Sequence, residues 1–144
     1  MTDQTSALAA PKPDNRRTVW TRRLVLFLRI MAIVSLLKGI YHWSLVLGIG
    51  DGEGSTFEQA GMPWQAATVF FAVIDLVAAV GLWLAAAWGG VVWLTASISM
   101  ASIELFFPQV FGGRLWIAIP EFVAIFIYIA LALMAGRERP EYGP

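Results

Sequence analysis

The 144-residue chain contains no cysteine. That excludes disulfides, thiolate chemistry, cysteine-ligated zinc and iron–sulfur centres, and it leaves the redox compartment open. Charge is scarce as well: 14% of residues are charged, against about 25% in soluble domains. Ten basic and ten acidic side chains cancel to a net charge of zero, so overall charge points to no nucleic-acid partner. There is one histidine, and the Glu-x-x-His pattern of carboxylate-rich bundle sites is missing. Phosphate-binding glycine loops, Gly-x-Ser-x-Gly elbows and metalloprotease helices are missing too. Gly50-Asp51-Gly52-Glu53-Gly54 alternates glycines without a flanking strand and helix, so it reads as a flexible loop. No internal repeat is visible, and neither a metal nor a cofactor is expected.

What the chain has is apolar sequence. Hydrophobic residues are 58% of it and the mean hydropathy is +0.69. Leu24–Ile49 is long enough to cross a hydrocarbon core of about 30 Å as a helix. Three further spans follow at about 64–88, 91–107 and 115–135, making a transmembrane domain over 24–136. Pro63 marks a helix start, Trp88-Gly89-Gly90 reads as a tight turn, and Pro108 with Gly112-Gly113 closes the third span. Pro120 sits one turn into the last span, as an N-terminal proline or a kink, and Gly136 with Pro140 ends it. Ser55-Thr56-Phe57-Glu58 has capping-box spacing and predicts a short interfacial turn. Residues 1–23 are polar and read as a disordered basic tail; 137–144 are a C-terminal tail. A signal peptide is the competing reading of the N-terminus. The apolar run is too long for one and no small-residue cleavage site follows, so an uncleaved first span is preferred.

Orientation follows from arginine and lysine placement. Arg16, Arg17, Arg22 and Arg23 precede the first span and Arg137 and Arg139 follow the last, whereas the loop over 50–63 has no basic residue. The expectation is an all-α membrane protein: a four-transmembrane-helix, up-down-up-down bundle with both termini cytoplasmic.

Five ionisable residues break the apolar runs. A charge at the bilayer centre costs at least about 2.5 kcal/mol, so such residues face the bundle interior and find partners. Lys38, His42, Asp75, Glu104 and Glu121 fall at comparable depths, between the outer face and the midplane. Their stripes include Ser35 on the first helix, Thr68, Ala72 and Ala79 on the second, and Trp93, Ser97 and Ala101 on the third. Arg114, Ala118 and Tyr128 share that of Glu121. Together the five predict a buried polar core, with Lys38 and Asp75 close across antiparallel helices, in direct contact or through one water or side chain. Glu104 and Glu121 are either a proton-sharing pair or hydrogen-bonded to Ser, Tyr or Arg114. Arg29 lies opposite Lys38 near the inner boundary, where it can snorkel. Thr95, Ser99 and Ser102 lie on the face opposite Glu104 and predict a helix–helix interface.

Two stretches carry a resemblance. Leu28-Arg29 through Leu36-Leu37-Lys38-Gly39, and Gly81-Leu82-Trp83 followed by Trp88, Ser99 and Glu104, resemble small bacterial four-helix membrane proteins of unknown function. These are loosely similar to DoxX-like proteins, and residues 24–135 look like an uncharacterised alphaproteobacterial inner-membrane family. The resemblance implies a four-helix inner-membrane protein and supplies no activity.

Three functions fit. The first is an accessory subunit packing against a larger membrane assembly, its partner another membrane protein or a second copy, with the lipid bilayer around it. The second is proton-coupled transport or relay through His42, Glu104 and Glu121. The third, from the DoxX-like resemblance and aromatic content, is a redox or quinone-associated protein.

Overall fold

The computed structural model describes residues 19–50, 56–108 and 115–138, the side chains of 115, 117 and 118 excepted. The elements are α1 (Val19–Val46), α2 (Thr56–Gln59), α3 (Met62–Trp83), α4 (Ala87–Phe106) and α5 (Leu115–Arg137). Four of them, α1, α3, α4 and Ile119–Arg137 of α5, are long and apolar enough to cross a membrane. At 1.5 Å per residue the 20 residues of α4 span about 30 Å. The expected all-α, four-helix membrane bundle is what the chain forms. α1 packs on α3 and α5, and α4 packs on the same two, so chain neighbours run antiparallel around a closed ring. The expected loops over 51–55 and 109–114, and the tails 1–18 and 139–144, lie outside the described residues.

Helix ends follow backbone chemistry. α1 stops on a Schellman motif, with Ile49 N–H donating to Ser44 O at 2.9 Å and Gly48 N–H to Leu45 O at 3.2 Å. Gly48 takes the left-handed φ of 63° at no steric cost. α3 ends on the same motif, Ala86 N–H to Gly81 O and Ala85 N–H to Leu82 O, both at 3.0 Å. There the left-handed residue is Ala85, with φ 50°. An L-residue pays about 1–2 kcal/mol for that conformation.

That second cap moves the turn from where the glycines put it. The chain reverses at 84–86, and Gly89 and Gly90 lie in the first turn of α4. Their smallness serves packing instead. A Cβ on Gly89 would lie 2.1 Å from the Gly81 carbonyl carbon, so α3 and α4 touch backbone to backbone. Gly39 makes a similar approach to Leu76 and draws α1 onto α3 beside Lys38. Trp93, 2% exposed, fills the centre, packed with Leu28, Ala32, Ala78 and Leu82. Phe27 and Tyr128 meet its ring edge-to-face, with centroids 6.2 and 5.6 Å away. It is thus a core residue, unlike the exposed Trp83 and Trp88 near helix ends.

α1 begins five residues earlier than the apolar pattern does, so Val19–Arg23 are helix and not tail. Glu138 explains the extension. Its carboxylate accepts from Trp20 N–H and Thr21 N–H, both at 3.0 Å, and from Thr21 Oγ1 at 3.1 Å. A side chain just beyond α5 therefore caps amides at the start of α1, which a helix leaves without partners of its own. It also holds the start of α1 and the end of α5 together on one side of the bundle. At the other end, Gln65 Nε2 donates to Phe57 O at 2.9 Å and Ala60 O at 3.0 Å, fastening the one-turn α2 to α3.

Partial desolvation pushes the Glu138 carboxyl up, but the three hydrogen bonds outweigh it and hold it below its ordinary value of 4.5. A lowered folded value means the cap's contribution is complete above about pH 4.5 and fades as pH falls through the folded value. Melting of detergent-solubilised protein should place Glu138→Gln below wild type at pH 7, with the gap closing in acid. A gap unchanged with pH would show that the carboxylate charge contributes nothing.

Candidate functional site

Each helix contributes one polar stripe to the interior. On α1, Leu28, Ala32, Ser35, Gly39 and His42 are buried; on α3, Thr68, Ala72, Asp75 and Ala79; on α4, Trp93, Ser97, Ala101 and Glu104. On α5, Glu121 and Tyr128 are half-buried. The faces read from helical spacing are the faces the fold buries.

The ionisable groups converge, with one change of partner. Lys38 Nζ donates to Glu121 Oε1 at 2.5 Å and lies 4.0 Å from Asp75 Oδ1. The direct ion pair therefore joins α1 to α5, and Asp75, the expected partner, stands second. Helix spacing places Lys38 on an inward face, but α3 and α5 both border that face, and tertiary packing decides which carboxylate is nearer. His42 joins from one turn further along α1. Its Nδ1 lies 2.9 Å from the Lys38 carbonyl oxygen and 3.8 Å from Asp75 Oδ2. Its ring leans on Phe71, centroids 5.6 Å apart.

The cluster is graded in burial. The side chains of Lys38 and Glu121 are 25% and 13% exposed, whereas that of Asp75 is 1% exposed. Neither carboxylate oxygen of Asp75 has a hydrogen bond, nor does the buried Ser97 hydroxyl. Ser97 belongs at the same level. Gly90 abuts Tyr128, and α4 and α5 are antiparallel, so seven residues along one and back along the other set Ser97 about level with Glu121. Glu104 is buried on the same α4 face, about 10 Å further along. Among the described residues, no group of three His, Cys, Asp or Glu side chains is arranged to hold a metal ion.

The other polar residues have local explanations. Arg29 is exposed and its guanidinium lies 5.9 Å from the ring centroid of Trp83, the last residue of α3, as a side chain snorkelling along its helix can do. Thr95 is exposed and its hydroxyl donates to Val91 O at 2.9 Å within its own helix; Ser99 and Ser102 are half-buried. Arg114 and Ala118 lie outside the residues whose side chains are described. The cap made by Glu138 has no counterpart in the sequence pattern, because it joins residues more than a hundred positions apart.

This arrangement holds one ammonium against two carboxylates. Removing it should therefore cost more than removing either carboxylate. Lys38→Met is expected to lower the melting temperature of the purified protein, and adding Glu121→Gln should recover part of the loss. The expected coupling is about 0.5–3 kcal/mol. Strictly additive effects would show that the contact carries no energy.

No curated protein and no solved structure matches the chain. Residues 22–139 match the model of DUF6163, a family of unknown function, across all four long helices and the cap at Glu138. By that match the chain belongs to DUF6163.

Proposed function

We propose that this multi-pass membrane protein binds and passes protons through Lys38, His42, Asp75 and Glu121, as a relay or the proton-coupled element of a transporter. The observation that carries the reading is Asp75, buried with both carboxylate oxygens lacking a hydrogen bond while the nearest ammonium is closer to Glu121. With Lys38 charged, His42 neutral and both carboxylates ionised, the cluster would hold one uncompensated negative charge in an apolar bundle. Such a charge costs several kcal/mol, so the site takes one proton, on Asp75 or His42. A buried, unsolvated, single-proton site that borders partly exposed groups is what a relay requires.

In proteoliposomes with an imposed pH gradient, wild-type protein should carry a proton flux that Asp75→Asn abolishes. Equal flux in the two proteins, or none in wild type, would defeat the reading.

The accessory-subunit reading is weaker. It drew on small size, the missing soluble domain and the Thr95/Ser99/Ser102 face, and of those three hydroxyls Thr95 donates within its own helix. The DoxX-like redox reading finds no supporting arrangement among the described residues. For placement, the arginine asymmetry supports both termini being cytoplasmic, and the inner membrane is what the resemblance implies. Reporter fusions at Phe57 should then report the outside and fusions after Tyr142 the inside. A cytoplasmic signal at Phe57 would overturn this orientation.

A further inference from the structure

We propose that Lys38 is a movable counter-ion that exchanges places with the proton between Glu121 and Asp75, so that the two carboxylates always share one ammonium and one proton. The inference rests on the proton-binding reading of the cluster and assigns the roles within it.

The geometry is that of one cation between two anions. Lys38 Nζ bonds Glu121 Oε1 at 2.5 Å and stops 4.0 Å short of Asp75 Oδ1. Closing the second gap needs a shift of about 1–1.5 Å to reach hydrogen-bond distance, within a rotamer adjustment of a flexible four-carbon stem. Gly39 lets α1 approach α3 at this point, so the lysine backbone need not move. Two states follow with the same charge and the same number of protons. In one, Lys38 ammonium pairs with Glu121 carboxylate and Asp75 is a neutral acid. In the other, Lys38 ammonium pairs with Asp75 carboxylate and Glu121 is the neutral acid. The distances match the pairing of the first state: Lys38 bonds Glu121 and stops short of Asp75.

The exchange separates a rim site from a deep site. Glu121, 13% exposed, is the less enclosed of the two carboxylates, and Asp75, 1% exposed, the more enclosed. His42 Nδ1 lies 3.8 Å from Asp75 Oδ2 but donates to the Lys38 carbonyl at 2.9 Å, so it does not take the Asp75 proton, and the deep proton leaves only through the exchange with Glu121. Because ammonium and proton move in opposite directions, the two states carry the same net charge in the low-dielectric interior. Two other ionisable groups flank the cluster on neighbouring helices. On α4, Glu104 lies about 10 Å further along, and on α5, Tyr128 lies about 10 Å the other way.

Infrared difference spectroscopy on protein in lipid, in the carbonyl-stretch region of protonated carboxyls, tests this with each variant subtracted from wild type. Helical content by circular dichroism controls for folding. Asp75→Asn should remove one protonated-carboxyl band. Glu121→Gln should remove the same band although Asp75 is intact, because the freed Lys38 then pairs with Asp75 and displaces its proton. Lys38→Met should add a second such band, because each carboxylate then needs its own proton. The Glu121 and Lys38 variants are separate arms, so either decides if the other does not fold. An Asp75 band that persists in Glu121→Gln, or no added band in Lys38→Met, overturns the exchange and leaves Asp75 as a proton site. A wild-type spectrum unchanged by Asp75→Asn overturns the exchange together with the reading beneath it.

Discussion

One ammonium set between two carboxylates inside an apolar bundle is the constraint to which the rest of the structure answers. Lys38 can satisfy Glu121 by direct contact and Asp75 only at longer range. In water such an imbalance would cost almost nothing. Between helices in hydrocarbon it costs kilocalories unless the surplus charge is removed by a proton. The helices that surround the cluster must therefore do two things, approach closely enough to bring the groups together and exclude water from Asp75.

Small residues meet both demands. Gly39 on α1 and the Ala72–Asp75–Ala79 face of α3 allow α1 to seat against α3, and Gly81 against Gly89 does the same for α3 and α4. Packing of this kind is how membrane helices associate where burial of apolar surface gives no drive. The half of the bundle nearer the start of α1 is filled by Trp93, Phe27 and Tyr128. α5 completes the ring through its Glu121 and, at its far end, through Glu138 on the first turn of α1. The proposed proton chemistry would thus occupy a place where close backbones and an ion pair already coincide.

Two turn sites show how the same residue type serves different ends. Gly48 takes a left-handed conformation and caps α1, while Gly89 and Gly90 sit inside α4 and are there for contact. Ala85, which has no special look in the sequence, carries the left-handed conformation instead. A glycine pair beside a tryptophan thus marks either a turn or a close helix crossing, and local pattern cannot distinguish them.

Helical periodicity and hydropathy by themselves determined that this is a four-helix membrane protein, and which face of each helix turns inward. His42, Asp75, Ser97 and Glu104 all lie on the inward faces that 100° spacing assigns. Both signals are local: they depend on residues within a few turns of one another. Which carboxylate holds Lys38, where the α3–α4 turn falls, and what caps the start of α1 were decided by tertiary structure. Each depends on distances between segments far apart in the chain. The choice between Asp75 and Glu121 turns on about 1.5 Å in the placement of one flexible side chain between neighbouring helices, a quantity that helix spacing does not encode.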